Sequence, residues 1–123
     1  MDLQSIYRIT VFVPNGSLRH VVDGVKRVHP LGDDYYDSVL WYVTAANEEF
    51  RPRSGSNPVR GRIGELHNEA VSMLVFSIPR DRALLDKVLA DGIRASHPWE
   101  APGVFIEKSW TLEQGKSAST SRG

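Results

Sequence analysis

The chain has 123 residues, 41% of them apolar, enough for one hydrophobic core and too few for two. Lys plus Arg (15) balances Asp plus Glu (15), so the overall charge favours neither nucleic acid nor an anionic membrane as partner, and no net repulsion keeps copies apart. The absence of cysteine excludes disulfides, thiolate metal sites and cysteine nucleophiles. Nothing at the N-terminus reads as a secretory signal. The apolar run near Ile6–Val13 is short, is broken by Arg8 and Thr10, and is followed by Pro14, so a cytoplasmic location is the expectation.

Tyr7, Ile9, Val11 and Val13 alternate with Arg8, Thr10 and Phe12, the period of a half-buried strand. Pro14-Asn15-Gly16-Ser17 breaks that strand and offers helix caps. Leu18, Val21, Val22, Val25 and Val28 then form one stripe of an amphipathic helix that stops near His29-Pro30. A second strand is expected from Asp37 to Thr44. The stretch between Ala45 and Asn68, rich in Gly, Pro, Ser, Asn and Arg, is too long for a hairpin turn and too patterned for a linker.

The second half repeats the first. Met73–Ile78 reads as a strand and Pro79-Arg80-Asp81 as a break with a cap. Leu84, Leu85, Val88, Leu89 and Ile93 line a helix ending near His97-Pro98, and Val104–Leu112 is a last strand. Even the helix ends match: Asp23-Gly24-Val25-x-x-x-His29-Pro30 against Asp91-Gly92-Ile93-x-x-x-His97-Pro98. Two β-α-β units interleaved in one antiparallel sheet, with both helices on one face, give a ferredoxin-like βαββαβ α+β sandwich. The domain spans residues 1–114. The tail from 115 to 123, which has no apolar residue beyond Ala118, is expected to be disordered. The uncovered sheet face carries Trp and Tyr residues, so a second sheet from a partner copy is expected to cover it.

Two short blocks carry chemistry. One is Phe50-Arg51-Pro52-x-x-Gly55-Ser56-Asn57-Pro58-x-x-Gly61-x-x-Gly64, and the other is Ser96-His97-Pro98-Trp99-Glu100-x-Pro102. In the second, an imidazole and a carboxylate three residues apart across a proline-stiffened turn can converge on one proton or one ligand. A dipole-stabilised helix-end histidine followed by a surface glutamate is the plainer reading. Asp37 offers an acid that could orient His97 or bind a cation; otherwise it is a solvated strand-edge residue. Arg51 suits a carboxylate or phosphate, with Ser56 and Asn57 offering short hydrogen-bonding side chains, though Ser-Asn-Pro also organises loops by itself. No phosphate-loop spacing follows a strand, and no serine sits in a nucleophile elbow. His20, His29 and His67 read as solvated or satisfied histidines, with coordination of His67 alongside Glu65 or Glu69 as the lesser reading.

Over roughly Ile6 to Leu112 the chain resembles the separately folding domain inserted into the YqfO-like proteins of the NGG-one-interacting-factor family, whose members show FRP-x-x-GSNP-x-x-G-x-x-G and HPYEEPAY. The resemblance also matches Tyr36-Asp37 to the family's Tyr-Asp-His/Gln, with Ser38 in place of His or Gln. It places Ala101 where a second glutamate is usual, and Gly103-Val104 where Ala-Tyr is usual. It implies a CutA/PII-like fold and a trimer, since CutA and PII-type sheets pack around a threefold axis. The histidine-rich metal core of the larger family proteins has no counterpart in these residues.

Two functions follow, beside a purely structural interaction domain that needs no pocket. The first is an oligomeric small-ligand- or metal-binding module with an inter-subunit cleft lined by Arg51, Ser56, Asn57 and Trp99, with His97 and Glu100 as the ligands if a divalent metal binds. The second is a small cofactor-independent enzyme of isomerase, cyclase or hydratase type. His97, Glu100 and Asp37 would supply its acid–base groups, Arg51 its anion clamp, and Trp41, Tyr42, Trp99 and Phe105 its apolar walls. Neither calls for a resident cofactor.

Overall fold

A computed structural model describes residues 2–113, so the expected tail and the domain's terminal residues lie outside the described residues. The elements are β1 (Leu3–Pro14), α1 (Leu18–Val28), β2 (Trp41–Phe50), β3 (His67–Pro79), α2 (Arg82–Lys87, running on as a π-helical stretch over Val88–Arg94) and β4 (Gly103–Leu112). The four strands form one antiparallel sheet in the order β2-β3-β1-β4, the ferredoxin-like α+β arrangement.

The alternation read from the sequence decides which face the helices cover. Tyr7, Ile9 and Val11 lie opposite Ile78, Phe76 and Leu74 in the β1–β3 ladder. All six are buried, in one core with Leu18, Val21, Val22 and Val25 of α1 and with Leu85, Val88 and Ile93 of the second helix. The intervening residues form the open face: Trp41, Val75, Thr10 and Phe105 in one row, and Val43, Met73, Phe12 and Gly103 in the next. Trp41 is 61% and Phe105 60% exposed, and Phe105 sits edge-on to Phe12 at 6.2 Å between ring centres.

The repeated Asp-Gly…His-Pro signature has a packing cause at each end. Gly24 and Gly92 lie where the two helices cross. A side-chain carbon at Gly24 would fall 2.6 Å from the Gly92 carbonyl oxygen, and one at Gly92 would fall 3.2 Å from Val25 Cα. At the helix exits each histidine does the same job. His29 Nδ1 accepts from the Leu31 N–H at 3.0 Å and His97 Nδ1 from the Trp99 N–H at 3.1 Å, in each case two residues on across the proline.

Three local expectations are corrected. The second strand begins at Trp41, not Asp37, because the chain after α1 folds back on the helix end: the Ser38 N–H donates to the Pro30 carbonyl and the Val39 N–H to the Leu31 carbonyl, both at 2.8 Å. Part of the stretch read as irregular is strand. Ala46–Phe50 pairs with His67–Val71, past a one-residue bulge between Val43 and Ala46, and extends the β2–β3 hairpin. Asp81 caps the second helix by accepting from the Leu84 N–H, but no side chain of the Asn15–Ser17 turn caps α1; Asn15 Oδ1 instead accepts from Ser72 Oγ at 2.7 Å.

Candidate functional site

The extended β2–β3 hairpin and the α2–β4 turn meet at one end of the sheet and bring the two motif blocks together. Between them lies an open cleft of about 250 Å³, lined among others by Glu48, Phe50, Arg51, Ser56, Trp99 and Glu100. One bond joins the blocks directly, from the Asn57 N–H to Glu100 Oε1 at 3.2 Å. The loop from 51 to 66 is shaped by its own backbone. Gly55, Gly61 and Gly64 all adopt positive φ, the Gly64 N–H donates to the Pro52 carbonyl at 2.7 Å, and Pro52 is buried. Ser56 belongs to this scaffold, with both its N–H and its Oγ donating to the Arg53 carbonyl. Arg51 is exposed on the cleft wall, joined there by Arg53 and Arg60.

The wall behind the arginines is a row of rings. Phe50 lies 5.8 Å from Trp99 and 5.2 Å from His67, and Trp99 lies 5.6 Å from His97. Trp99 Nε1–H is buried and has no hydrogen-bond partner among the described residues.

His97 points into the protein. It is 8% exposed, and both ring nitrogens are engaged by backbone: Nδ1 accepts from Trp99, and Nε2–H donates to the Phe12 carbonyl of β1 at 2.8 Å. This pairing selects the neutral Nε2–H tautomer. Burial pushes the pKa below the ordinary histidine value, opposed by the bond to Phe12. Glu100, by contrast, is exposed and turned to the loop, so the His97–Glu100 pair expected as a metal or proton-transfer site does not form. Among the described residues no group of three or more His, Asp or Glu is arranged to hold a metal ion.

Asp37 is also apart. It lies in the α1–β2 loop, exposed, with Oδ1 accepting from Ser38 Oγ at 2.9 Å. The loop is bonded to the C-terminal end of α1, which lies beside the first residues of β1, while His97 is bonded near the last residues of β1. The two therefore sit at opposite ends of the sheet, and Asp37 does not orient His97.

Sequence reasoning missed Glu48, Arg53 and Arg60; His67, read there chiefly as a solvated or satisfied histidine, pairs with Glu69. His67 Nε2 lies 2.7 Å from Glu69 Oε1, and Arg60 Nε 3.8 Å from Glu69 Oε2. The signal available was a run of four arginines, at 51, 53, 60 and 62, with no acid between Phe50 and Gly64. Glu48 gave no signal, because it meets Glu69 only through the strand register.

No protein-family model matches the chain, and no curated protein matches it. Among the described residues no helix is long and apolar enough to cross a membrane. The fold is similar to that of a Bacillus cereus protein related to NIF3, at 17% identity and TM-score 0.70 over 89% of this chain; the chain spans 27% of that protein's length. It is also similar to CutA1 from Oryza sativa, at 15% identity and TM-score 0.60, covering 94% of this chain and 87% of that one. CPII, a nitrogen regulatory PII-like protein from Thiomonas intermedia K12 solved with ADP, AMP and bicarbonate, matches at 14% identity and TM-score 0.51, covering 92% of this chain and 99% of that one. What the chain shares with all three is the CutA/PII-like fold expected from its motifs.

Proposed function

We propose that the chain is an oligomeric small-ligand-binding module whose pocket is the Phe50–Trp99 cleft, completed by a neighbouring copy, and whose ligand carries a flat ring and an anionic group. The observation that carries this reading is the meeting of three arginines with two aromatic rings in one open cleft. Guanidinium groups bind phosphate or carboxylate through paired N–H donors, and the rings supply a stacking surface. The enzyme reading rests on His97 as acid or base, and both its ring nitrogens are already held by backbone. The binding reading is therefore preferred.

The PII-like CPII was solved with adenine nucleotides, so ADP is the first probe. Calorimetric titration of the intact protein with ADP is expected to show saturable binding. Arg51→Ala should weaken it by about tenfold or more, the size of one charge-assisted hydrogen bond. Absence of binding, or equal affinity for the variant, overturns the assignment of the pocket.

The open sheet face supports this reading as the surface that partner copies would cover. Trp41, Val43 and Phe105 present exposed apolar surface there, and net charge is zero. Three copies packed sheet to sheet would cover it. Light scattering should give about three times the 13.8 kDa chain mass, and Phe105→Asp should shift the species toward monomer. A single 13.8 kDa species in the unmodified protein rejects the oligomer.

A further inference from the structure

Glu48 lines the cleft from β2 and lies directly opposite Glu69 in the β2–β3 ladder. Like charges in this position repel. Glu69 has its answer in His67 at 2.7 Å and Arg60 at 3.8 Å, whereas Glu48 has no hydrogen-bond or ion-pair partner among the described residues. Its surroundings make that lack costly. A side-chain carbon at Gly103 would lie 3.5 Å from Glu48 Oε1, so the carboxyl lies over the bare Gly103 position of β4. Burial there pushes its pKa up. A half-withdrawn carboxylate facing a second glutamate and lacking a cation is what a packed sheet avoids. It is nevertheless placed in the wall of the arginine-lined cleft, beside the rings of Phe50 and Trp99.

We infer that Glu48 is the anchoring acceptor of the cleft, its carboxylate taking an N–H group of the ligand whose anionic group lies against the arginines. The inference rests on the cleft reading above and narrows it: the ligand bears an N–H donor on its ring as well as the anion. The geometry separates the two tasks. Arg51, Arg53 and Arg60 come from the loop or its margins, while Glu48 comes from the strand beneath. A ring bound against Phe50 and Trp99 would occupy the same cleft as both.

Three probes that share a diphosphate test this: inorganic pyrophosphate, purine riboside 5′-diphosphate, and ADP, which alone carries an exocyclic amino group. In calorimetric titrations of the intact protein, ADP is expected to bind about tenfold or more tighter than purine riboside diphosphate, as one hydrogen bond to a charged acceptor would give. Glu48→Ala should erase that ratio, while pyrophosphate, which offers Glu48 no donor, should bind the variant no more weakly than the unmodified protein. Glu48→Gln, which keeps a neutral acceptor, should fall between. Both variants should melt at or above the unmodified protein, because the repulsion with Glu69 is removed, so lost binding will not reflect lost folding. Pyrophosphate binding with no advantage for ADP, or an advantage that Glu48→Ala preserves, overturns the role of Glu48 and leaves the cleft standing. Failure of both pyrophosphate and ADP to bind the unmodified protein overturns the cleft reading and this inference with it.

Discussion

Replacing His97 with alanine is expected to destabilise the protein severely, while His20→Ala leaves it near normal. The imidazole satisfies two backbone groups at once, the Phe12 carbonyl and the Trp99 N–H, in a setting only 8% exposed. A buried polar group left without a partner costs about 1–3 kcal/mol, so the pair comes to about 2–6 kcal/mol, against a total stability of about 5–15 kcal/mol for a typical domain. His20 is exposed on α1, and surface changes of that kind usually stay within about 0.5 kcal/mol. Thermal melts at one fixed protomer concentration make the comparison, since oligomers melt concentration-dependently. A His97→Ala melt matching that of His20→Ala would remove the structural role assigned here.

The same residue gives the expected pH dependence. Burial holds the pKa of His97, and of His29, below the ordinary histidine value. As pH falls below about 6.5 the unfolded chain takes up protons that the folded chain refuses. The contribution is therefore present in full above that pH and is lost on acidification. Protonating His97 Nδ1 would also put a proton where the Trp99 N–H now donates. Melting temperature should fall from pH 7.5 to 5.5 in the unmodified protein, and less steeply in His97→Ala. Glu48 acts in the opposite direction, its raised pKa favouring the folded state at lower pH, so the Glu48→Gln background isolates the histidine slope.

Much of this fold was legible because alternation and helical stripes are local signals. Tyr7–Val13 and Met73–Ile78 each present every second side chain to the core, and the α1 stripe is buried as read. The second strand was misplaced for a physical reason. Ala46–Phe50 lies on the extended part of an edge strand, where the polar Asn47, Glu48 and Glu49 need no burial, so the apolar alternation fails. The candidate site was legible in pieces. Both motif blocks were visible, and Arg51, Ser56, Trp99 and Glu100 line one cleft. Which histidine nitrogen faces what, and which glutamate faces which, depends on packing and register, and neither leaves a mark on spacing along the chain. That is why His97 read as a free acid–base group and Glu48 went unread.

The repeated glycines make the same point and give the sharpest packing test. By sequence Gly24 and Gly92 are equivalent, each following an aspartate in the last turns of a helix. In the crossing they are not. A carbon added at Gly24 would meet the Gly92 carbonyl oxygen and Ser96 Oγ, each at 2.6 Å, and one of those is backbone in a helix already held by Ser96. A carbon added at Gly92 meets Val25 Cα at 3.2 Å and Val28 Cγ2 at 3.6 Å, a contact that a few tenths of an ångström relieve. Alanine in place of glycine within a helix returns about 1 kcal/mol of propensity at either site. At Gly92 that gain should roughly offset the tight contact and leave stability near unchanged. At Gly24 the helices must separate, and overpacking of this kind costs about 1–3 kcal/mol or more, so Gly24→Ala should be the clearly destabilised variant and Gly24→Val worse. Because the second helix leads directly into His97 and Trp99, separating the helices should also loosen the cleft wall, and Gly24→Ala should bind ADP more weakly at temperatures where it is still folded. Equal melting temperatures for Gly24→Ala and Gly92→Ala would mean that the helices do not cross at Gly24 as described.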